Sequence, residues 1–87
     1  MEKERSKTID LDFPVQLADR LLEKIAMRRP TMKELRTYRI KGSEDVDGEF
    51  ALFCALTGLR EEEMDGVDAA DYARLQDVYV SFRTPTK

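Results

Sequence analysis

Histidine is absent from the chain, and cysteine occurs once, at Cys54. The first absence removes the commonest general base, the Ser-His and Cys-His dyads and the commonest metal ligand. The second rules out an intramolecular disulfide and any cysteine zinc site, and fits a reducing compartment. Glycine is sparse, with four in all and neither a GxGxxG nor a GxxxxGK[ST] phosphate loop among them. No apolar run approaches the roughly 20 residues of a membrane span, and Met1-Glu2-Lys3-Glu4-Arg5 leads into no apolar segment of the secretory kind. These absences point to a cytoplasmic protein without catalytic residues, metal, cofactor or membrane attachment.

What remains is ordinary in amount and uneven in arrangement. Charged residues are 38% and hydrophobic residues 41% of 87 positions, which suits one small soluble domain with a single modest core. Residues 1–41 hold 11 Lys/Arg and 7 Asp/Glu, whereas residues 42–87 hold 4 and 11. Kept apart in space, the two halves would favour head-to-tail association; intermixed, they are a solvated surface.

Residues 1–7 alternate in charge without an apolar anchor and read as a disordered N-terminus, 8–83 as one domain, and 84–87 as a loose tail. Thr8 to Phe13 alternates polar and apolar, placing Ile9, Leu11 and Phe13 on one face of a half-buried strand. From Leu17 to Lys24 local propensity favours helix, and Val15, Ala18, Leu22 and Ile25 recur at helical spacing. A lone strand would leave its backbone unpaired, however, and Ala18-Asp19-Arg20 can turn the chain so that Ile25 and Met27 lie beside Leu11 and Phe13. An α+β, mainly helical fold is therefore expected, with an N-terminal β-hairpin followed by about three helices.

The boundary between the two is Met27-Arg28-Arg29-Pro30-Thr31-Met32-Lys33-Glu34-Leu35. Pro30 fixes its own φ, lacks a donor and holds Arg29 out of the α region, so no helix passes through it. Thr31 and Glu34 form the reciprocal capping box of a first helix. That helix is expected to bury Met32, Leu35 and Tyr38, to turn Lys33, Arg36 and Arg39 to solvent, and to stop at Gly42. Ser43-Glu44-Asp45 offers caps for a second helix, whose body from Glu49 to Leu56 is apolar on nearly every side and ends at Gly58. Glu61 to Met64 fits a single acidic turn. Asp68 then caps a last helix with Asp71 at its N3 position, and Tyr72, Leu75, Val78, Tyr79 and Phe82 make its apolar stripe.

Three patterns invite a chemical reading. Asp45-Val46-Asp47-Gly48 has part of a calcium loop, but Cys54 stands where the bidentate glutamate belongs. Asp65, Asp68 and Asp71 could pair as acid and base, yet Gly66 interrupts them and capping accounts for the last two. The set Arg28, Arg29, Lys33, Arg36, Arg39 and Lys41 supports the alternative of a small DNA-binding regulator using the basic face of the first helix. Overall acidity, the lack of a helix-turn-helix glycine turn and the lack of interleaved aromatics argue against nucleic acid.

Taken in order, Ile9-x-Leu11-x-x-Pro14-Val15, Ile25-x-Met27-Arg28-Arg29-Pro30-Thr31-x-x-Glu34-Leu35, Leu56-Thr57-Gly58-Leu59 and Val67-Asp68-x-x-Asp71-Tyr72-x-x-Leu75-x-x-Val78-x-x-x-Phe82 resemble the phage tail assembly chaperones of the tail protein E type, from contractile-tailed phages and prophages. The resemblance covers about residues 8–83 and departs from the family at Asp19, where such proteins tend to have glycine in the hairpin turn. It implies a non-enzymatic protein that binds the tape measure protein in the bacterial host cytoplasm. It further implies that the protein keeps this client soluble until the tail tube polymerises, and is absent from the mature virion. In many such phages a frameshifted longer form recruits tail tube protein. On this view Leu52, Ala55 and Leu56, with Val78, Tyr79 and Phe82, make a partner-binding groove for a tape measure helix or for a second copy in a homo-oligomer; the alternative is that they complete the monomer core. Arg28, Arg29, Pro30, Thr31, Glu34, Gly58, Asp68, Asp71 and Tyr72 are the structural motif.

Overall fold

An isolated strand cannot satisfy its own backbone, and the chain meets that demand by folding its first segment back on itself. In the computed structural model, which describes residues 5–38 and 46–84, strands β1 (Ser6–Gln16) and β2 (Leu21–Arg28) pair antiparallel as a two-stranded sheet. The pairing overrides the helical propensity of Leu17 to Lys24, with the Leu17 amide donating to the Arg20 carbonyl at 2.8 Å to close the turn. Order begins earlier than Thr8, since Ser6 already faces Arg28 and the Arg29 amide donates to the Arg5 carbonyl at 2.8 Å. The register also differs from the one expected, with Ile25 opposite Ile9 and Met27 opposite Lys7.

The ladder is interrupted between Asp10 and Val15. Asp10 pairs with Lys24 and Val15 with Leu22, so β1 carries extra residues against a short stretch of β2 and bulges. Regular alternation fails there: Ile9 and Leu11 are buried, but Phe13, expected on the same face, is 56% exposed.

Among the described residues four helices follow: α1 (Met32–Thr37), α2 (Val46–Thr57), α3 (Glu61–Met64) and α4 (Ala69–Arg83). The capping box of α1 is formed, the Glu34 amide donating to Thr31 Oγ1 at 3.3 Å and the Thr31 amide to Glu34 Oε1 at 3.0 Å. Tyr38 closes this helix as its C-cap, so it ends before Gly42, which lies with Arg39 and Ser43-Glu44-Asp45 outside the described residues. Met32, expected inside, is 69% exposed, because α1 rests on the molecule only through its Leu35 and Tyr38 side.

Gly58 ends α2 at φ 75°, a left-handed conformation natural to glycine, and its amide returns to the Cys54 carbonyl at 2.9 Å. Asp68 caps α4 by accepting from the Ala70 amide at 2.9 Å. The hairpin lays Ile9, Leu11, Leu22, Ile25 and Met27 against Leu52, Phe53 and Leu56 of α2 and Leu75, Val78, Tyr79 and Phe82 of α4. At the far end, the hairpin tip is tied to α3 by Arg20, 3.6 Å from the buried Glu63 carboxylate.

Candidate partner-binding site

Successive side chains of a strand point to opposite faces, and at the end of β2 this sends two arginines to different helices. Arg28 makes two hydrogen bonds to the Glu34 carboxylate, one of them 2.8 Å to Oε1, and lies 3.4 Å from the Ala55 carbonyl. The Arg28 guanidinium, followed by the Thr31 amide and hydroxyl, outweighs partial desolvation and holds the Glu34 carboxyl down at about 2. Arg29 stacks over the Phe82 ring, 5.0 Å from its centroid, and donates to the Phe82 carbonyl at 3.1 Å in the last turn of α4. Of the basic set weighed for DNA, these two are engaged within the molecule, and Arg39 and Lys41 lie outside the described residues. Lys33 and Arg36 remain exposed, on a helix of six residues.

Asp71 holds the N3 position of α4, but it does not serve the cap as expected. Its carboxylate reaches the bulge of β1, accepting the amides of Asp12 and Phe13 at 3.0 Å each and Arg74 Nη1 at 3.3 Å. The bulge frees these two amides from the ladder, and Pro14 beside them has no N–H to satisfy. Burial disfavours the ionised form, yet the two amides and Arg74 overcome it and keep the Asp71 carboxyl below its ordinary value. The acidic trio is thus divided between tasks: Asp68 caps, Asp71 clamps and Asp65 stays exposed. Tyr72 joins α4 to α2, its hydroxyl donating to Glu49 at 2.9 Å and its ring lying 5.3 Å from that of Phe53. Burial and then the Glu49 carboxylate push the Tyr72 hydroxyl up from its usual range.

Five of the six residues expected to form the partner groove, Leu52, Leu56, Val78, Tyr79 and Phe82, are buried at 0–8% exposure, and they meet one another in the core. The open groove read from the sequence is thereby corrected: Ile9, Leu11, Leu22, Ile25 and Met27 of the hairpin cover the apolar sides of α2 and α4 within one molecule. Only Ala55 reaches the surface. It lies in a shallow cleft with Tyr38, Ala51, Cys54, Leu59, Arg60, Glu61 and Glu62, which adjoins a second cleft lined by Arg28, Thr31, Lys33, Glu34, Thr37, Tyr38 and again Ala55. Tyr38 and Ala55 are common to both, so the two make one trough running from α1 over α2 to α3. Its walls are mostly apolar and its ends are charged. The Cys54 thiol in the wall is pushed up by burial, then by Glu61 and Asp65, and stays protonated at neutral pH.

Sequence reasoning missed the half-buried Tyr38 and Ala51, and the edge of buried Leu59, as lining of the cleft. The available signal was the pair Ala51 and Ala55, one helical turn apart on an otherwise bulky helix.

The model of the family described as phage tail assembly chaperone proteins, E, or 41 or 14, matches residues 8–83, which takes in the bulge, the Arg28-Arg29-Pro30-Thr31 junction and all four helices. The chain belongs to that family. No curated protein and no solved structure matches it. Membership gives this tail assembly chaperone a role in building phage tails, which it performs on protein partners. Among the described residues no helix is long and apolar enough to cross a membrane, and no group of three or more His, Cys, Asp or Glu is placed to hold a metal ion.

Proposed function

We propose that the chain is a non-enzymatic chaperone of the tape measure protein, binding amphipathic helical segments of that client in the trough bordered by Tyr38 and Ala55. The observation that carries the reading is this trough, a mostly apolar recess open at the surface among the described residues, in a member of a tail assembly family. A long client helix exposes an apolar stripe, and a shallow apolar recess covers such a stripe without engulfing it. Contacts of this kind are exchangeable, as they must be if tail tube subunits are to replace the chaperone. Several copies along one client, a frameshifted longer form that brings tail tube protein, action in the host cytoplasm and absence from the mature virion belong to the same proposal. Leu52, Leu56, Val78, Tyr79 and Phe82 then support binding by holding α2 and α4 in place.

Co-expression with the tape measure protein of the same genome tests this. The client should move into the soluble fraction with the native chaperone, and Ala55→Trp, which fills the trough, should reverse the effect while the chaperone itself stays folded. Leu52→Asp is the wrong probe, since Leu52 is fully buried and a charge there unfolds the chaperone. A client that stays insoluble beside a well-folded chaperone, or that is rescued equally by Ala55→Trp, would overturn the assignment.

A further inference from the structure

We infer that the trough reads the charge polarity of the helix it takes, accepting an amphipathic helix that carries acidic residues toward α1 and basic residues toward α3. The inference rests on the trough being the binding site, and its own content is direction. At the α1 end, Arg28 and Glu34 neutralise each other, which leaves exposed Lys33 as a cation without an ion pair among the described residues. At the α3 end, Arg60 Nε lies 3.5 Å from Glu62, and exposed Glu61 is an anion without an ion pair among the described residues. Between the two stand the Tyr38 ring and the small side chain of Ala55. Among the described residues, one unmatched lining charge of each sign, with apolar surface in between, makes the recess polar along its length.

A helix laid in the favoured sense meets an opposite charge at both ends, and one laid the other way meets a like charge at both. Exposed ion pairs are individually modest, worth up to about fivefold in affinity each, so two of them inverted together separate the orientations by roughly tenfold or more. The contacts lie at the rim and are screened by salt, so the preference is strongest at low ionic strength. Its consequence would be that every copy sits on a client in the same direction.

Overlapping peptides from the tape measure protein, titrated against the full chain by fluorescence anisotropy, provide the probe. The tightest binder is then compared with its charge-inverted version, Lys and Glu exchanged. Native protein should prefer the parent peptide by about tenfold, Lys33→Glu and Glu61→Lys should each weaken its binding by about threefold, and the double variant should prefer the inverted peptide. Both positions are exposed, so these variants keep the fold. Equal binding of parent and inverted peptides, with binding lost in Ala55→Trp, would keep the trough and overturn the polarity. Binding undiminished in Ala55→Trp would remove the trough and the inference with it. Self-association that Lys33→Glu abolishes, with no peptide bound, would assign the recess to a second copy and overturn the inference as well.

Discussion

The Asp71 carboxylate and the Phe13 amide meet at 3.0 Å across 58 residues of sequence. This bond, with its companion at Asp12, lets an irregular strand be buried against α4 without orphaned donors. The bulge and the buried aspartate are therefore one unit: removing the carboxylate strands two amides, and a regular strand would strand the carboxylate.

Asp71→Asn should accordingly be among the costly single changes in the molecule. It sets an NH2 group or a single acceptor against two amides and removes the buried charge that Arg74 faces, leaving Arg74 only the Asp12 carboxylate and the Asp10 carbonyl, for a loss of about 3 kcal/mol. Asp68→Ala, on the same helix turn, should lose only about 1 kcal/mol, the usual value of a cap. Urea titration of both variants checks the contrast, and equal losses would mean that Asp71 is no more than a cap residue.

Acid should weaken the Arg28–Glu34 junction in a defined window. The Glu34 carboxyl is lower when folded, at about 2, than its ordinary 4.5, so ionisation favours the folded state above about pH 4.5 and that support fades as pH falls toward 2. Glu34→Gln should be less stable than the native chain at pH 7 by roughly 0.5–1 kcal/mol. The gap should narrow steadily below pH 4.5, as followed by thermal melts across pH; a constant gap would show that the ionised carboxylate is not involved.

The bulge also makes two neighbours on one nominal strand face behave differently. Leu11→Ala empties a core position and should cost about 2–4 kcal/mol, whereas Phe13→Ser should change stability by about 0.5 kcal/mol or less. Were β1 regular, the two losses would be similar, and chemical denaturation distinguishes these outcomes directly.

Tyr79 is buried at the meeting of α2 and α4, and among the described residues its hydroxyl has no hydrogen-bond partner. Tyr79→Phe removes a desolvated polar group at almost no change in shape, and should leave the melting temperature unchanged or raise stability by about 1 kcal/mol. A clear loss would reveal that the hydroxyl is hydrogen-bonded in solution.

Much of the architecture was open to reading because its causes are local. Pro30 forbids a continuous helix, Thr31 and Glu34 lie one turn apart, Gly58 accepts a left-handed φ, and Asp68 meets an amide two residues on. The hairpin was legible through a global argument, that a strand must be paired, although the propensity of Leu17 to Lys24 pointed the other way. Phe13 was misplaced because alternation holds only while the ladder is regular; Pro14, next in the chain and without an N–H, was the local sign of an interruption, but it does not say which side chains turn outward.

The candidate site lay further from view. Whether Leu52, Leu56, Val78, Tyr79 and Phe82 lie open or enclosed depends on how far a separate hairpin extends over them, a matter of long-range packing and not of their own periodicity. The same holds for Ala55, whose exposure follows from the side of α2 that β2 leaves free. Local chemistry thus settled where elements start, stop and change kind, because backbone dihedrals and caps act over a few residues. Packing alone decided which apolar surface is spent on the core and which stays exposed, because burial is shared among segments that meet only when the whole chain has closed.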